Sequence, residues 1–217
     1  MFGLDLKEIL LRIPAVLLAI SLHEASHGYV AYLLGDPTAK NNGRLTMNPL
    51  AHFDLYGTLC MLLFGFGWAR PVPVNPMYFK NPKQGMSLVG LAGPLSNFFT
   101  ALVFSVIYAV LFGLGMFLNP GPFFEFIELF LWTAIGLNVG LGIFNLFPIP
   151  PLDGSKILAV VLPNSAYYKL MMYERYVAPI LMLLLFVGVL DVPLNFLVGK
   201  VIDGLLIMMN AIVGIMP

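Results

Sequence analysis

From Ser87 through Phe124 the sequence carries no formally charged side chain, and from Tyr176 through Leu190 it again carries none. Lipid offers no partner to a backbone N–H or C=O, so a chain crosses it as a helix of about 20 apolar residues or as a closed barrel. Uncharged runs of this length are at home in hydrocarbon. The composition agrees, because 59% of the 217 residues are hydrophobic and 10% are charged, against roughly 25% charged in soluble domains. The expected class is an all-α membrane protein, a polytopic helical bundle.

Apolar segments are predicted at about 9–34, 53–67, 87–117, 123–147, 177–192 and 194–216, separated by loops rich in Pro, Gly and Asn. The second is too short to span and reads as re-entrant or interfacial, which leaves about five spanning helices. The first is retained as a mature helix rather than a cleaved signal, since His23, Glu24 and His27 interrupt it and it continues to Leu34. With no repeat, no low-complexity tail and no sizeable polar stretch, residues 1–217 read as one integral membrane domain. Lys40 and Arg44 precede the short segment and Arg70, Lys80 and Lys83 follow it, whereas connectors 118–122 and 191–193 have no basic residue. Positive charge gathers on cytoplasmic loops, so both of the former face the cytoplasm and the N-terminus lies outside. Pro71, Pro73 and Pro76 forbid a helix there. Together with 43–49 they predict a small extended or β element on the cytoplasmic side, able to receive a peptide by strand addition.

Net charge is zero and no basic block exists, which excludes nucleic acid as a partner. The single cysteine, Cys60, excludes an internal disulfide and a cysteine-built zinc site. Metal ligands have to come from His, Asp and Glu.

His23-Glu24-Ala25-Ser26-His27 is an H-E-x-x-H pattern inside a helical, apolar stretch. The i, i+4 spacing sets both imidazoles on one face, where they can hold a metal ion, while Glu24 can reach a water beside the metal rather than the metal itself. The alternative is a structural polar cluster. An ionisable group at membrane depth costs at least about 2.5–3.5 kcal/mol to insert, and that weighs against it.

A catalytic zinc takes three protein ligands and keeps one position open. The third candidate is Asp153, which follows the broken stretch Asn145-Leu146-Phe147-Pro148-Ile149-Pro150-Pro151-Leu152. Irregular backbone at membrane depth marks a protein-lined cavity. The competing role for Asp153 is a cap on a helix starting at Gly154 or Ser155.

With both motifs in hand, the chain resembles the site-2 protease family of intramembrane metalloproteases. H-E-x-x-H at 23–27 and N-x-x-P-x-P-x-L-D-G at 145–154 match in the family's order. Gly93-Pro94-Leu95-Ser96-Asn97, the stretch 43–49 and the stretch 68–75 are also similar, so the likeness covers roughly 15–160. The resemblance implies one Zn²⁺ held by His23, His27 and Asp153, with Glu24 activating water. It implies a transmembrane protein substrate, and a multi-pass protein of a bacterial or archaeal cytoplasmic membrane whose active site faces the cytoplasm. The chain looks like a compact form without PDZ or CBS modules, and Phe53-Asp54-Leu55 lacks the family's proline after Asp54.

Asn145 resembles a family residue that meets substrate backbone or the oxyanion, and Asn97 is a weaker candidate for the same role. For both, the alternative is a buried amide that ties two helices together. Gly93 and Pro94 are expected to allow close helix approach. His52 and Asp54 are read as structural, and Lys200 with Asp203 as an i, i+3 pair. Two other function classes compete with a protease. A metal transporter would show paired broken helices in matched repeats, which are absent here. A silent scaffold would have no need of Glu24.

Overall fold

The structure, a computed structural model, describes residues 6–64 and 68–216. Residues 65–67, the end of the apolar segment expected at 53–67, fall outside the described residues. The elements are α1 (Leu6–Leu33), α2 (Thr38–Asn41), α3 (Pro49–His52), α4 (Leu55–Phe64), a 3-10 turn (Pro76–Tyr78), α5 (Pro82–Gly113), α6 (Pro122–Leu146), α7 (Asp153–Val161), α8 (Asn164–Met172), α9 (Glu174–Phe186) and α10 (Asp191–Ile215).

Helix α5 is the hub, packing against α1, α6, α7 and α10. It starts where Asn81 caps the N–H of Gln84 and Pro82 occupies the first turn, a position that needs no N–H. Gly93, Asn97, Ala101, Ser105 and Ala109 recur every four residues and are all buried. Such a small, polar-tolerant stripe lets neighbouring helices approach closely, as lipid-embedded helices do. The opposite face exposes Leu95, Phe99, Val106 and Val110. A helix with its small residues inside and its large apolar ones outside is built for a hydrocarbon solvent. The upper core joins Ala101 to Ile135, Val139 and Ile143 of α6, closed by Leu194, Val198 and Val201 of α10.

Among the described residues, α5, α6 and α10 are long and apolar enough to cross a membrane. Helix α1 has the length, 28 residues, but His23, Glu24 and His27 interrupt its apolar character. The segment expected at 177–192 gives only α9, 13 residues, or roughly 20 Å against a hydrocarbon core of about 30 Å. Gly188, at φ 79°, ends that run, adopting a left-handed conformation that other residues resist. Helix α4 has ten residues, too few to span.

No β ladder forms among the described residues, so the β alternative for the expected extended or β element is not seen. The stretch 70–76 is extended, but its three prolines have no N–H, and other donors are taken: Arg70 N–H by His52 O (3.0 Å), Val72 N–H by Glu24 Oε2 (2.8 Å) and Asn75 N–H by Asp36 Oδ2 (2.7 Å). Arg44 ties the two stretches together by donating to Arg70 O at 2.6 Å. Side chains hold this strap in place of a sheet, and that leaves little of it for strand addition. Two smaller expectations resolve locally. His52 is fully buried beside Thr46 O, while Asp54 accepts the N–H of Gly57 at the start of α4. Lys200 lies over the Phe196 ring instead of forming an ion pair with Asp203, since the ion pairs among the described residues all converge on Asp153.

Candidate metal centre

His23 and His27 project one turn apart from α1, with ring centroids 4.6 Å apart and planes nearly perpendicular. Their second nitrogens fix the tautomers. His27 Nδ1 donates to the Val89 carbonyl at 2.6 Å, and a carbonyl can only accept. His23 Nδ1 lies 2.6 Å from Asn97 Oδ1. The Asn97 amide is oriented by its other end, where Nδ2 donates to Asn138 Oδ1 at 2.9 Å and to Ala19 O at 3.4 Å. Asn138 is held in turn by donating to Ala134 O. Both Nδ1 atoms therefore carry the proton, and both Nε2 atoms present a lone pair.

Asp153 completes the arrangement. Its Oδ2 lies 3.0 Å from His23 Nε2 and 3.1 Å from His27 Nε2, and the two Nε2 atoms are 3.0 Å apart. Helix α7 begins at Asp153, with Leu152 as its N-cap and no side-chain cap, so the carboxylate faces the imidazoles and the capping alternative is not taken. Gly154 makes this placement possible: a Cβ there would fall 2.3 Å from the carbonyl oxygens of Leu146 and Phe147. Gly93 does the same on α5, where a Cβ would sit 2.5 Å from His27 Nε2 and from His23 Cε1.

Three lone-pair atoms thus converge, buried, without a hydrogen among them. Like-signed acceptors in contact at low dielectric repel one another, and a cation removes the conflict. A tetrahedral ion with ligand bonds of about 2.0–2.1 Å sets its ligand atoms roughly 3.3 Å apart, so this trio fits with only slight opening. Without an ion, the remaining relief is a proton on an imidazole. Burial opposes charge on Asp153, but His23, His27 and the Lys156 ammonium outweigh burial and hold its carboxyl far below the usual carboxylate range.

Glu24 stands beside the trio and outside it. Its carboxylate lines a cavity of about 420 Å³ bounded also by Asn145, Lys156, Trp68, Phe144 and Leu181. Asn145 donates to Leu141 O at 3.0 Å along its own helix. Asn97, by contrast, is fully buried behind His23, away from this cavity, where its contacts are those of an interhelical tie. Sequence reasoning missed two side chains. Asn138 was visible as an amide in an apolar helix, and Lys156 as a cation one turn after Asp153. The Val89 carbonyl and the Val72 N–H left no trace, because they are backbone groups.

The family model of peptidase family M50 matches residues 121–188. YwhC of Bacillus subtilis is 41% identical over 161 residues, covering 74% of this chain and 73% of that protein. Rip2 of Mycolicibacterium smegmatis is 29% identical, covering 67% of this chain and 54% of its own length. MJ0392 of Methanocaldococcus jannaschii is 29% identical, covering 69% of this chain and 34% of its own length. Each of the three carries the words zinc metalloprotease in its name. No solved structure gives a significant match.

Proposed function

Because the chain belongs to peptidase family M50 and is therefore a metallopeptidase, we propose that it hydrolyses peptide bonds of membrane-embedded proteins at a single zinc ion. The observation that carries the reading is the meeting of His23 Nε2, His27 Nε2 and Asp153 Oδ2 within 3.1 Å of one another. These three would hold the ion, whose chemistry is to polarise a scissile carbonyl and to make a nearby water acidic enough to attack near neutral pH.

Everything else falls to the chain's own residues. Glu24 takes a proton from the attacking water and returns it to the leaving amine. Its hydrogen bond from Val72 N–H orients the carboxylate while the strap is in place. Asn97, anchored by Asn138, keeps His23 in the tautomer that presents Nε2. Asn145, on the cavity wall, meets the substrate backbone. A helical substrate hides its carbonyls in its own hydrogen bonds and has to unwind locally before it can lie in the cavity.

The proposed setting is a multi-pass protein of a bacterial or archaeal cytoplasmic membrane, a single domain with the site opening to the cytoplasm. Support comes from Arg70 of the strap and Arg44, which donates to it, basic groups of the loops assigned to that side, since the strap borders the cavity. The test is purified protein, in detergent or liposomes, against a panel of single-span membrane proteins that includes membrane-tethered anti-sigma factors. Glu24→Gln is expected to keep one zinc per chain and to lose cleavage by about 10²-fold or more. A Glu24→Gln protein that cleaves like wild type overturns the assignment.

A further inference from the structure

Asp153 brings two oxygens to the centre, and the two have different partners. Oδ2 faces both imidazole nitrogens, while Oδ1 accepts a hydrogen bond from Lys156 Nζ at 2.8 Å. Lys156 stands one turn along α7, and its side chain is 31% exposed where that of Asp153 is 6% exposed. The lysine stem is closely fitted. Gly90 of α5 lies against it, so that a Cβ at Gly90 would be 3.0 Å from Lys156 Cβ and 3.0 Å from Asp153 O.

A carboxylate can close on a divalent cation with one oxygen or with both. Two-oxygen closure fills a position that a hydrolytic centre has to leave for water or a carbonyl. We propose that Lys156 is a positioning residue that occupies Asp153 Oδ1 and so makes Asp153 a one-oxygen ligand. This rests on reading His23, His27 and Asp153 as the metal centre. Three features support the role. The bond is charge-assisted and short, hence among the strong ones. It approaches the carboxylate at the oxygen not directed at the imidazoles. It is also made by a residue one turn along the same helix, so α7 delivers the ligand and its restraint as one rigid unit. Its ammonium charge opposes that of the ion, so the arrangement favours an open coordination position over maximal metal affinity.

The experiment uses full-length protein loaded with Co²⁺, whose visible absorption weakens when a four-coordinate, tetrahedral geometry gives way to a five-coordinate one. Lys156→Met is expected to bind one Co²⁺ per chain with a clear loss of visible intensity and a fall in kcat at little-changed KM. Lys156→Arg, which still donates to Oδ1, is expected to keep the wild-type spectrum. Should Lys156→Met not fold, Lys156→Ala gives the same reading, since it too removes the donor to Oδ1. A wild-type Co²⁺ spectrum in the neutral variants overturns the proposal. Asp153→Ala separates the two levels of inference: retention of the wild-type spectrum by Asp153→Ala sinks the metal-centre reading itself, whereas loss of Co²⁺ there leaves the Lys156 result to stand or fall by itself.

Discussion

Adding one methyl group at Gly93 tests the centre without altering any of its polar groups. The Cβ of Gly93→Ala would lie 2.5 Å from His23 Cε1 and from His27 Nε2, and 2.6 Å from His23 Nε2, where ordinary contact begins at 3.4 Å. The deficit is about 0.9 Å against two rings at once. Neither ring has an easy retreat: His27 is tied to the Val89 carbonyl and His23 to Asn97, each at 2.6 Å. Overpacking of this kind costs about 1–3 kcal/mol. A misplacement of about 1 Å at reacting groups costs on the order of 10²-fold in rate, or roughly 2.7 kcal/mol of transition-state stabilisation. Gly93→Ala is therefore expected to purify as a folded protein, to hold zinc at least tenfold more weakly, and to cleave about 10²-fold more slowly. The assays are zinc content after competition with a graded chelator, kcat/KM on a reconstituted substrate, and thermal unfolding in detergent. Gly136→Ala is the control, because nothing lies within 4 Å of a Cβ there and a helix interior gains about 1 kcal/mol or less from the change. Wild-type zinc affinity and cleavage in Gly93→Ala would refute the claim that this glycine is the floor beneath both imidazoles.

Asn138→Ala removes the acceptor that orients Asn97, although Asn138 is absent from the cavity lining. Metal affinity is expected to fall about 10–100-fold with helix content unchanged by circular dichroism, and unaltered affinity would break the relay from Asn138 to His23. Phe99→Lys probes the solvent around α5, where Phe99 is 67% exposed. On a soluble protein the change would be close to neutral, but at the middle of a spanning helix it costs about 2.5–3.5 kcal/mol of insertion. An integration assay for α5 is expected to show a marked loss, and full integration would contradict the lipid-facing assignment.

Much of the candidate site was legible because such chemistry is expensive at membrane depth. His23, Glu24, His27 and Asp153 announce themselves as ionisable groups in or beside apolar runs, and the i, i+4 spacing places two of them together. Helices α5, α6 and α10 were equally plain from their length and apolar character. The β part of the expected extended or β element is not seen among the described residues. Proline content correctly excluded a helix at 70–76, but whether extended backbone joins a sheet depends on where its N–H groups find acceptors, and here Glu24 and Asp36 supply them. The span expected at 177–192 gives a helix of only 13 residues, because hydropathy does not register the left-handed turn at Gly188 that ends it.

The sequence alone determined the solvent of this protein and which groups are candidate metal ligands, since both follow from which residues tolerate hydrocarbon and which do not. Only the tertiary structure decided how those groups are aimed. Tautomer, carboxylate orientation and the room for two rings depend on Val89 O, Asn138, Lys156 and Gly93, whose relations to the centre run across helix contacts rather than along the chain. Directional bonds and close packing act between elements, and linear spacing encodes neither.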